Sequence, residues 1–341
     1  MNIEFYTESK KVLWDEYVQR SDKATFFHLT GWKRAMERTF GYRPFYLLAE
    51  VNGQIKGILP LFLTRNLSFH KALISLPHAA YGGICADDKD TENLLLEEAK
   101  KLTQREGVDY LELRNMELKH ADLPTKDLYV TFQQELHPDP EKNMESIYRK
   151  TRTMIRQGIK NNLQSEIGRD HLEEFYHIFA SSYHNLGSPV YPLRLFKILL
   201  EEFPKTCKIL VVKHEGKVLS GVMTFFFKNQ VLPYYGGALK EAYDLKVNNF
   251  MYWELMKYGS EHGYKIFDFG RSKKGSGSFD FKKHWGMAPQ PLHYQYYLNH
   301  SHQIPDINPL NPKYQKKIDL WKKLPLSVTK ALGPLVVKYI P

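Results

Sequence analysis

The sequence predicts an α/β chain of the α+β kind, in which a mixed sheet carries packed helices and one such unit is written twice in tandem. Three observations predict it. A helix–glycine–strand stretch occurs twice, a β-hairpin precedes each copy, and a Tyr-Gly-Gly element follows each hairpin. Fixed-order recurrence of this kind is the signature of an internal repeat.

In chain order, FYLLAEVNGQIKGILPLFL (45–63) alternates apolar and polar residues about Asn52-Gly53, the strongest short-range hairpin signal. CKILVVKHEGKVLSGVMTFFF (207–227) repeats the pattern about Glu215-Gly216. LPHAAYGGI (76–84) and LPYYGGAL (232–239) follow, each read as a strand with Tyr-Gly-Gly near its end. Residues 93–114, NLLLEEAKKLTQREGVDYLELR, then match residues 249–270, NFMYWELMKYGSEHGYKIFDFG, at a constant offset of 156 positions. Asn93 meets Asn249, Glu98 meets Glu254, Gly107 meets Gly263, and Glu112 meets Asp268. Each copy is an amphipathic helix closed by a glycine suited to a left-handed cap. A strand with an acid between two apolar residues comes next. The chain divides on this reading into 1–135, 136–300 with the catalytic role, and a proline-rich linker with an amphipathic tail over 301–341.

Composition narrows the function. The chain has 341 residues, 43% of them hydrophobic and 25% charged, enough for sizeable cores. A formal charge of +10 favours polyanionic partners. Cys85 and Cys207 are the only cysteines and have no CxxC spacing, and the fourteen histidines show neither HxxxH nor HExxH, so neither a disulfide scaffold nor a metal site is expected. There is no GxSxG elbow. No apolar run reaches the length of a spanning helix or a signal peptide, so the expected location is cytoplasmic.

The duplication supplies an internal control: what both copies share serves the fold, and what one copy owns is a candidate for chemistry. The acid at Glu112 and Asp268 is shared, so Asp268 reads as a hydrogen-bonding carboxylate or as a general base. Tyr235 and Gly236 belong to a shared element, whose glycines either admit a ligand close to the strand or mark a bulge. Only the second copy continues into FDFGRSKKGSGSFDFKKHWG (267–286), with Arg271, Lys273, Lys274, Lys282 and Lys283. A glycine-rich backbone can turn N–H groups toward an anion, although neither GxxxxGK[ST] nor GxGxxG is present. A second basic element runs through Arg149, Arg152, Arg156 and Lys160, spaced for one helical face with no acid between Ser146 and Ser165. Ile155, Ile159 and Leu163 are expected to form its opposite, apolar stripe.

These residues carry a resemblance. The doubled unit resembles the GNAT acyltransferase fold, and two in tandem resemble the Fem-type (FemAB-like) aminoacyltransferases. The likeness is sharpest from about 143 to 298, in RKTRTMIRQGIKNNL, LGSPVYPLRLF, YYGGAL, IFDFGRS and FDFKKHWG; GSGSFDFKKHWGMAPQPLHYQYYL looks like FemAB-like proteins of PEP-CTERM/exosortase and exopolysaccharide systems. The resemblance implies transfer of an acyl or aminoacyl group, without a covalent enzyme intermediate, to an amine or hydroxyl of a cell-envelope precursor. It places a catalytic lysine at Lys282, where a fixed cation meets the developing oxyanion. It makes Arg152, Arg156, Arg271, Lys273 and Lys274 candidates for the phosphates of a nucleotide- or lipid-linked acceptor or of tRNA. Where the family carries a phosphate-contacting lysine in the first helix, this chain has Met36. The implied donor is aminoacyl-tRNA or acyl-CoA, with no tightly bound cofactor. KEAYDLKVNNF (240–250) has no glycine for a coenzyme A pyrophosphate loop, which weakens the acyl-CoA reading. A non-catalytic, polyanion- or saccharide-binding assembly factor for exopolysaccharide is the alternative. The tail, KKIDLWKKLPLSVTKALGPLVVKYIP, either docks on the protein or lies on the inner face of the cytoplasmic membrane.

Overall fold

The computed structural model describes residues 1–67, 70–305 and 315–341. The chain forms two compact units. The first is Met1–Tyr129, joined by a return from Pro291 and by Lys338–Pro341; the second runs from Val130 to Gln290 and takes in the helices that precede Lys338.

In the first unit, Leu47–Val51 and Gln54–Leu59 form the expected hairpin, flanked by Asn2–Phe5 and Cys85–Ala86. Asn52 and Gly53 both take positive φ, 50° and 77°, the two-residue turn whose twist suits a hairpin. A second sheet orders Arg43–Pro44, Phe62–Arg65, Lys71–Ile74, Tyr110–Asn115, His293–Leu298 and Thr125–Lys126. The returning strand His293–Leu298 pairs antiparallel with Tyr110–Asn115 along its whole length. Lys89–Arg105 is the repeat helix, capped by Asp88, whose side chain accepts from the Thr91 amide. It covers a core of Leu47, Leu59, Leu73, Leu95, Leu111 and their neighbours.

The second unit repeats the plan. Cys207–His214 and Lys217–Phe227 pair about Glu215 and Gly216, whose φ values of 50° and 77° match the first hairpin. An eight-stranded sheet runs Gln164–Gly168, Cys207–His214, Lys217–Phe227, Gln230–Ala238, Ile266–Asp268, Tyr129–Glu135, Ser272–Lys273, with Pro289–Pro291 beside Tyr129–Glu135. The repeat helix Val247–Glu261 lies on it, and Gly263 (φ 78°) matches Gly107 (φ 58°) as the left-handed exit. Gln230–Ala238 is parallel to Ile266–Asp268 and pairs with it at two positions, Gln230 with Ile266 and Val231 with Phe267. Beyond them the strand ends carry Tyr235 and Asp268. The six- and eight-stranded sheets mix parallel and antiparallel neighbours, as the repeat order predicts, while the four-stranded sheet is antiparallel throughout.

Three expectations are corrected. LPHAAYGGI is not a strand but an irregular segment after Lys71–Ile74, with positive φ at Leu76 and His78 and with Gly83 so close to Asn115 that a Cβ would lie 1.8 Å from its Oδ1. GSGSFDFKK is not a glycine-rich loop throughout. Ser276 caps a helix, Gly277–Lys283, by accepting from the Phe279 amide. Ile159 is exposed, so the basic helix buries Ile155 and Gly158 rather than a full stripe. In the tail, Pro334 lies inside the helix Leu326–Val337, and Pro325 stands between that helix and Gln315–Lys323. The proline-rich linker falls partly outside the described residues. Within the second unit, both tail helices pack on Leu172–Leu186. The Thr329 hydroxyl lies 3.3 Å from His184 Nδ1, and a Cβ on Gly187 would come 2.5 Å from Ile318.

Candidate functional site

The end of the strand Ile266–Asp268 builds the site. Phe267 and Phe269 face the apolar core, which pins Asp268 between them with 0% exposure. An isolated buried carboxylate is costly, so it must be hydrogen-bonded. Its Oδ1 accepts from Thr131 Oγ1 at 2.8 Å and from the Gly270 amide at 2.7 Å, and its Oδ2 from Gln133 Nε2 at 2.7 Å. Thr131 and Gln133 alternate on one face of Tyr129–Glu135, the neighbouring strand. Gly270 adopts φ 68°, which turns its amide back onto the carboxylate.

That turn also aims the Gly270 and Arg271 carbonyls at Lys282. Its Nζ donates to Gly270 O at 2.9 Å and to Arg271 O at 3.2 Å. Lys282 is 8% exposed, on the buried side of Gly277–Lys283. Burial pulls its pKa down to about 7. The Asp268 carboxylate opposes that fall and the Arg271 guanidinium adds to it. At neutral pH the amine is therefore shared between charged and neutral forms, the range in which a lysine can move protons.

Tyr235 and Gly236 stand on the adjacent strand. The Tyr235 ring sits among Phe196 (5.2 Å), Tyr191 (5.5 Å) and Phe179 (6.0 Å), and burial raises its phenol pKa. Its hydroxyl is buried without a hydrogen-bond partner. The Arg271 charge acts on both Tyr235 and Tyr183, which puts the guanidinium in the same neighbourhood. Tyr234 is the bulged residue, since Met223 pairs with Tyr235 and Thr224 with Pro233. Gly236 gives the backbone room beside Tyr252, whose hydroxyl would lie 3.3 Å from a Cβ there. Tyr252 in turn packs on Phe269, Phe281 and Trp285. Strand, helix and lysine-bearing turn thus form one aromatic wall.

The basic helix Arg149–Lys160 reaches this turn through Thr151, whose hydroxyl donates to His284 O at 2.6 Å. Arg152 is half-buried and donates to Glu145 O at 2.8 Å, while Arg156 is exposed. Lys273 and Lys274 are half-buried in the turn, and the Lys273 carbonyl accepts from Ser276 Oγ at 2.7 Å. Asp268, Lys282, Arg271, Tyr235 and Gly236 therefore lie in one neighbourhood, whereas Arg152 and Arg156 sit on a helix joined to it by Thr151. Thr131, Gln133 and Tyr252 were missed in the sequence. The i, i+2 spacing of the first two is their only local signal. Glu112, the first copy's acid, accepts from Arg114 Nε at 2.7 Å and Tyr296 Oη at 2.9 Å, a buried structural pair.

Between strand and repeat helix, Lys240–Leu245 is a 3₁₀ turn and Lys246 enters Val247–Glu261 in left-handed conformation. Among the described residues no group of three or more His, Cys, Asp or Glu is placed to hold a metal, and no helix is long and apolar enough to cross a membrane.

Residues 145–283, which contain the whole of this cluster except Thr131 and Gln133 on the neighbouring strand and Trp285 just after its end, match the acetyltransferase (GNAT) domain family. Over 296 residues the chain is 25% identical to the lipid II:glycine glycyltransferase of Staphylococcus aureus (strain USA300), covering 83% of this chain and 55% of that protein. The crystal structure of FemX superposes with a TM-score of 0.69 over 93% of this chain and 99% of that one, at 16% identity. The chain is thus similar to a Fem-type glycyltransferase in sequence and carries a GNAT domain match in its second unit. A tandem GNAT protein from the clavulanic acid biosynthesis pathway shares the fold at a TM-score of 0.51 and 9% identity, covering 89% of this chain and 100% of that one. The chain spans about half the length of the glycyltransferases it matches.

Proposed function

We propose that the second unit transfers an aminoacyl group from an aminoacyl ester donor, as on tRNA, to an amine of a lipid-linked cell-envelope precursor. The observation that carries this reading is Lys282, buried beside Asp268 and held by two carbonyls, with a pKa near neutrality. An ammonium has three donors. Two go to Gly270 and Arg271, and the third engages the oxyanion formed when the amine attacks the ester carbonyl. On collapse the C–N bond is made and the C–O bond to the donor breaks. The amine proton passes to the departing oxygen, with Lys282 as the relay. Asp268, with three donors already on its oxygens, holds the turn and the charge of Lys282 rather than taking the proton. Similarity to lipid II:glycine glycyltransferase supports a lipid-linked peptidoglycan acceptor. The 3₁₀ turn at Lys240–Leu245 supports an aminoacyl ester over acyl-CoA. Exposed Arg156, with Arg149, Lys150 and Lys160, is the surface for phosphates of donor or acceptor.

The test is a transfer assay with a panel of aminoacyl-tRNAs and acetyl-CoA against lipid-linked precursor, in wild type and Lys282→Met. Transfer from one aminoacyl-tRNA, lost by at least a hundredfold in the variant, is expected. Transfer that survives Lys282→Met removes the role assigned to this lysine. Salt-sensitive binding of anionic glycan without any transfer, favoured by the acid-free basic helix, selects the assembly-factor reading.

A further inference from the structure

We propose that the first unit holds a binding site for a peptide main chain, occupied in this structure by the chain's own Lys338–Pro341, a turn that follows the helix Leu326–Val337. Two buried side chains meet that segment, and both donate to its backbone. Tyr42 Oη donates to the Lys338 carbonyl at 2.5 Å, and Arg114 Nη2 to the Pro341 main-chain oxygen at 3.0 Å. Neither contact reads a side chain, so peptides with main-chain oxygens at this spacing share the recognition chemistry.

The donors are held in place before the peptide arrives. Arg114 is 2% exposed. Its Nε is fixed by Glu112 at 2.7 Å, its Nη1 by the carbonyls of Ala79 (3.1 Å) and Leu76 (3.3 Å), and its guanidinium lies 5.4 Å from the Tyr294 ring centre. The Tyr42 hydroxyl is also 3.0 Å from His78 Nε2, and the His78 ring packs 4.5 Å from Phe40. Leu76 and His78, which shape this corner, take φ of 53° and 60°, a conformation costly for side-chain-bearing residues and retained where surroundings enforce it. The occupant differs from its hosts. All four residues of Lys338–Pro341 are half-buried. Two hydrogen bonds and partial burial make a displaceable ligand, tethered at high effective concentration by the helix Leu326–Val337.

The repeat strengthens the assignment. Arg114 stands where the second copy has Gly270, whose carbonyl takes Lys282. The same strand end thus presents a cation in both units, from the strand itself in one and from a following helix in the other. The inference goes beyond the transfer reaction and does not depend on it.

The experiment uses a fluorescein-labelled hexapeptide of residues 336–341 and measures anisotropy with the full chain and with a chain ended after Val337. The shortened chain is expected to bind it, the full chain at least tenfold more weakly, and Tyr42→Phe in the shortened chain about tenfold more weakly, the loss of one buried hydrogen bond. No binding by a shortened chain that keeps the wild-type circular dichroism, or equal binding by both chains, overturns the site. Should shortening unfold the protein, trypsin cleavage after Lys338 in the full chain decides. Tyr42→Phe should speed release of the last three residues at least threefold, and an unchanged rate overturns the proposal.

Discussion

Replacing Lys282 by methionine should change the pH dependence of stability more than stability itself. The methylenes keep their packing, while the titrating group disappears. In the folded protein the lysine titrates at about 7, against 10.5 in an open chain. Between those values the folded state binds fewer protons than the unfolded state, so wild-type stability rises with pH across that interval. Burying the charge costs its full amount below pH 7, roughly 5 kcal/mol at ~1.4 kcal/mol per pKa unit, and the cost fades as pH approaches 10.5. Methionine removes this cost and also removes the donor to the Gly270 and Arg271 carbonyls, a loss of about 1–3 kcal/mol that does not vary with pH. Urea unfolding of both proteins from pH 6 to pH 9 therefore compares two curves. Wild type should gain roughly 2–3 kcal/mol on the variant over that range. A gap constant with pH would show that Lys282 titrates normally, and would remove the basis for the proton-relay role proposed for it.

Two further substitutions probe the scaffold. Glu112→Gln withdraws the carboxylate that neutralises buried Arg114, and urea unfolding should show a loss of about 3 kcal/mol; a loss below ~1 kcal/mol would mean that the pair is replaceable. Gly237→Ala should lower the melting temperature markedly, by overpacking worth about 1–3 kcal/mol, because its Cβ would meet Ser182 Cβ at 2.8 Å and Phe179 Cα at 3.2 Å. Gly236→Ala, facing the Tyr252 hydroxyl at 3.3 Å, should cost less, and the reverse order in a calorimetric scan would refute the packing argument.

The doubled plan was legible because both hairpin turns and both helix exits need left-handed residues. Asn52-Gly53, Glu215-Gly216, Gly107 and Gly263 declare that need locally. The charged turn misled for a related reason. Glycine and serine at 275–278 read as a glycine-rich loop, yet Ser276 is a helix cap, and the helix it starts is what buries Lys282. Tyr81-Gly82-Gly83 misled because its partner Tyr235-Gly236-Gly237 lies in a strand, whereas Asn115 and Arg114 hold the first copy in a loop. No local period announces that a strand from residue 293 returns to pair with Tyr110–Asn115, since register across that separation is set by packing.

Comparing the copies also separates what the fold needs from what the chemistry needs. Each unit buries an acid at the same strand position, and each satisfies it fully: Glu112 with Arg114 and Tyr296, Asp268 with Thr131, Gln133 and the Gly270 amide. A carboxylate common to both is therefore a device for fixing the strand end. The cation beside it distinguishes them. In the first unit it is an arginine that stays charged at all physiological pH. In the second it is a lysine whose burial brings its pKa to about 7. A group that never releases a proton can only bind, while one poised near neutrality can both bind and relay, so the two proposals together assign holding to the first half and transfer to the second.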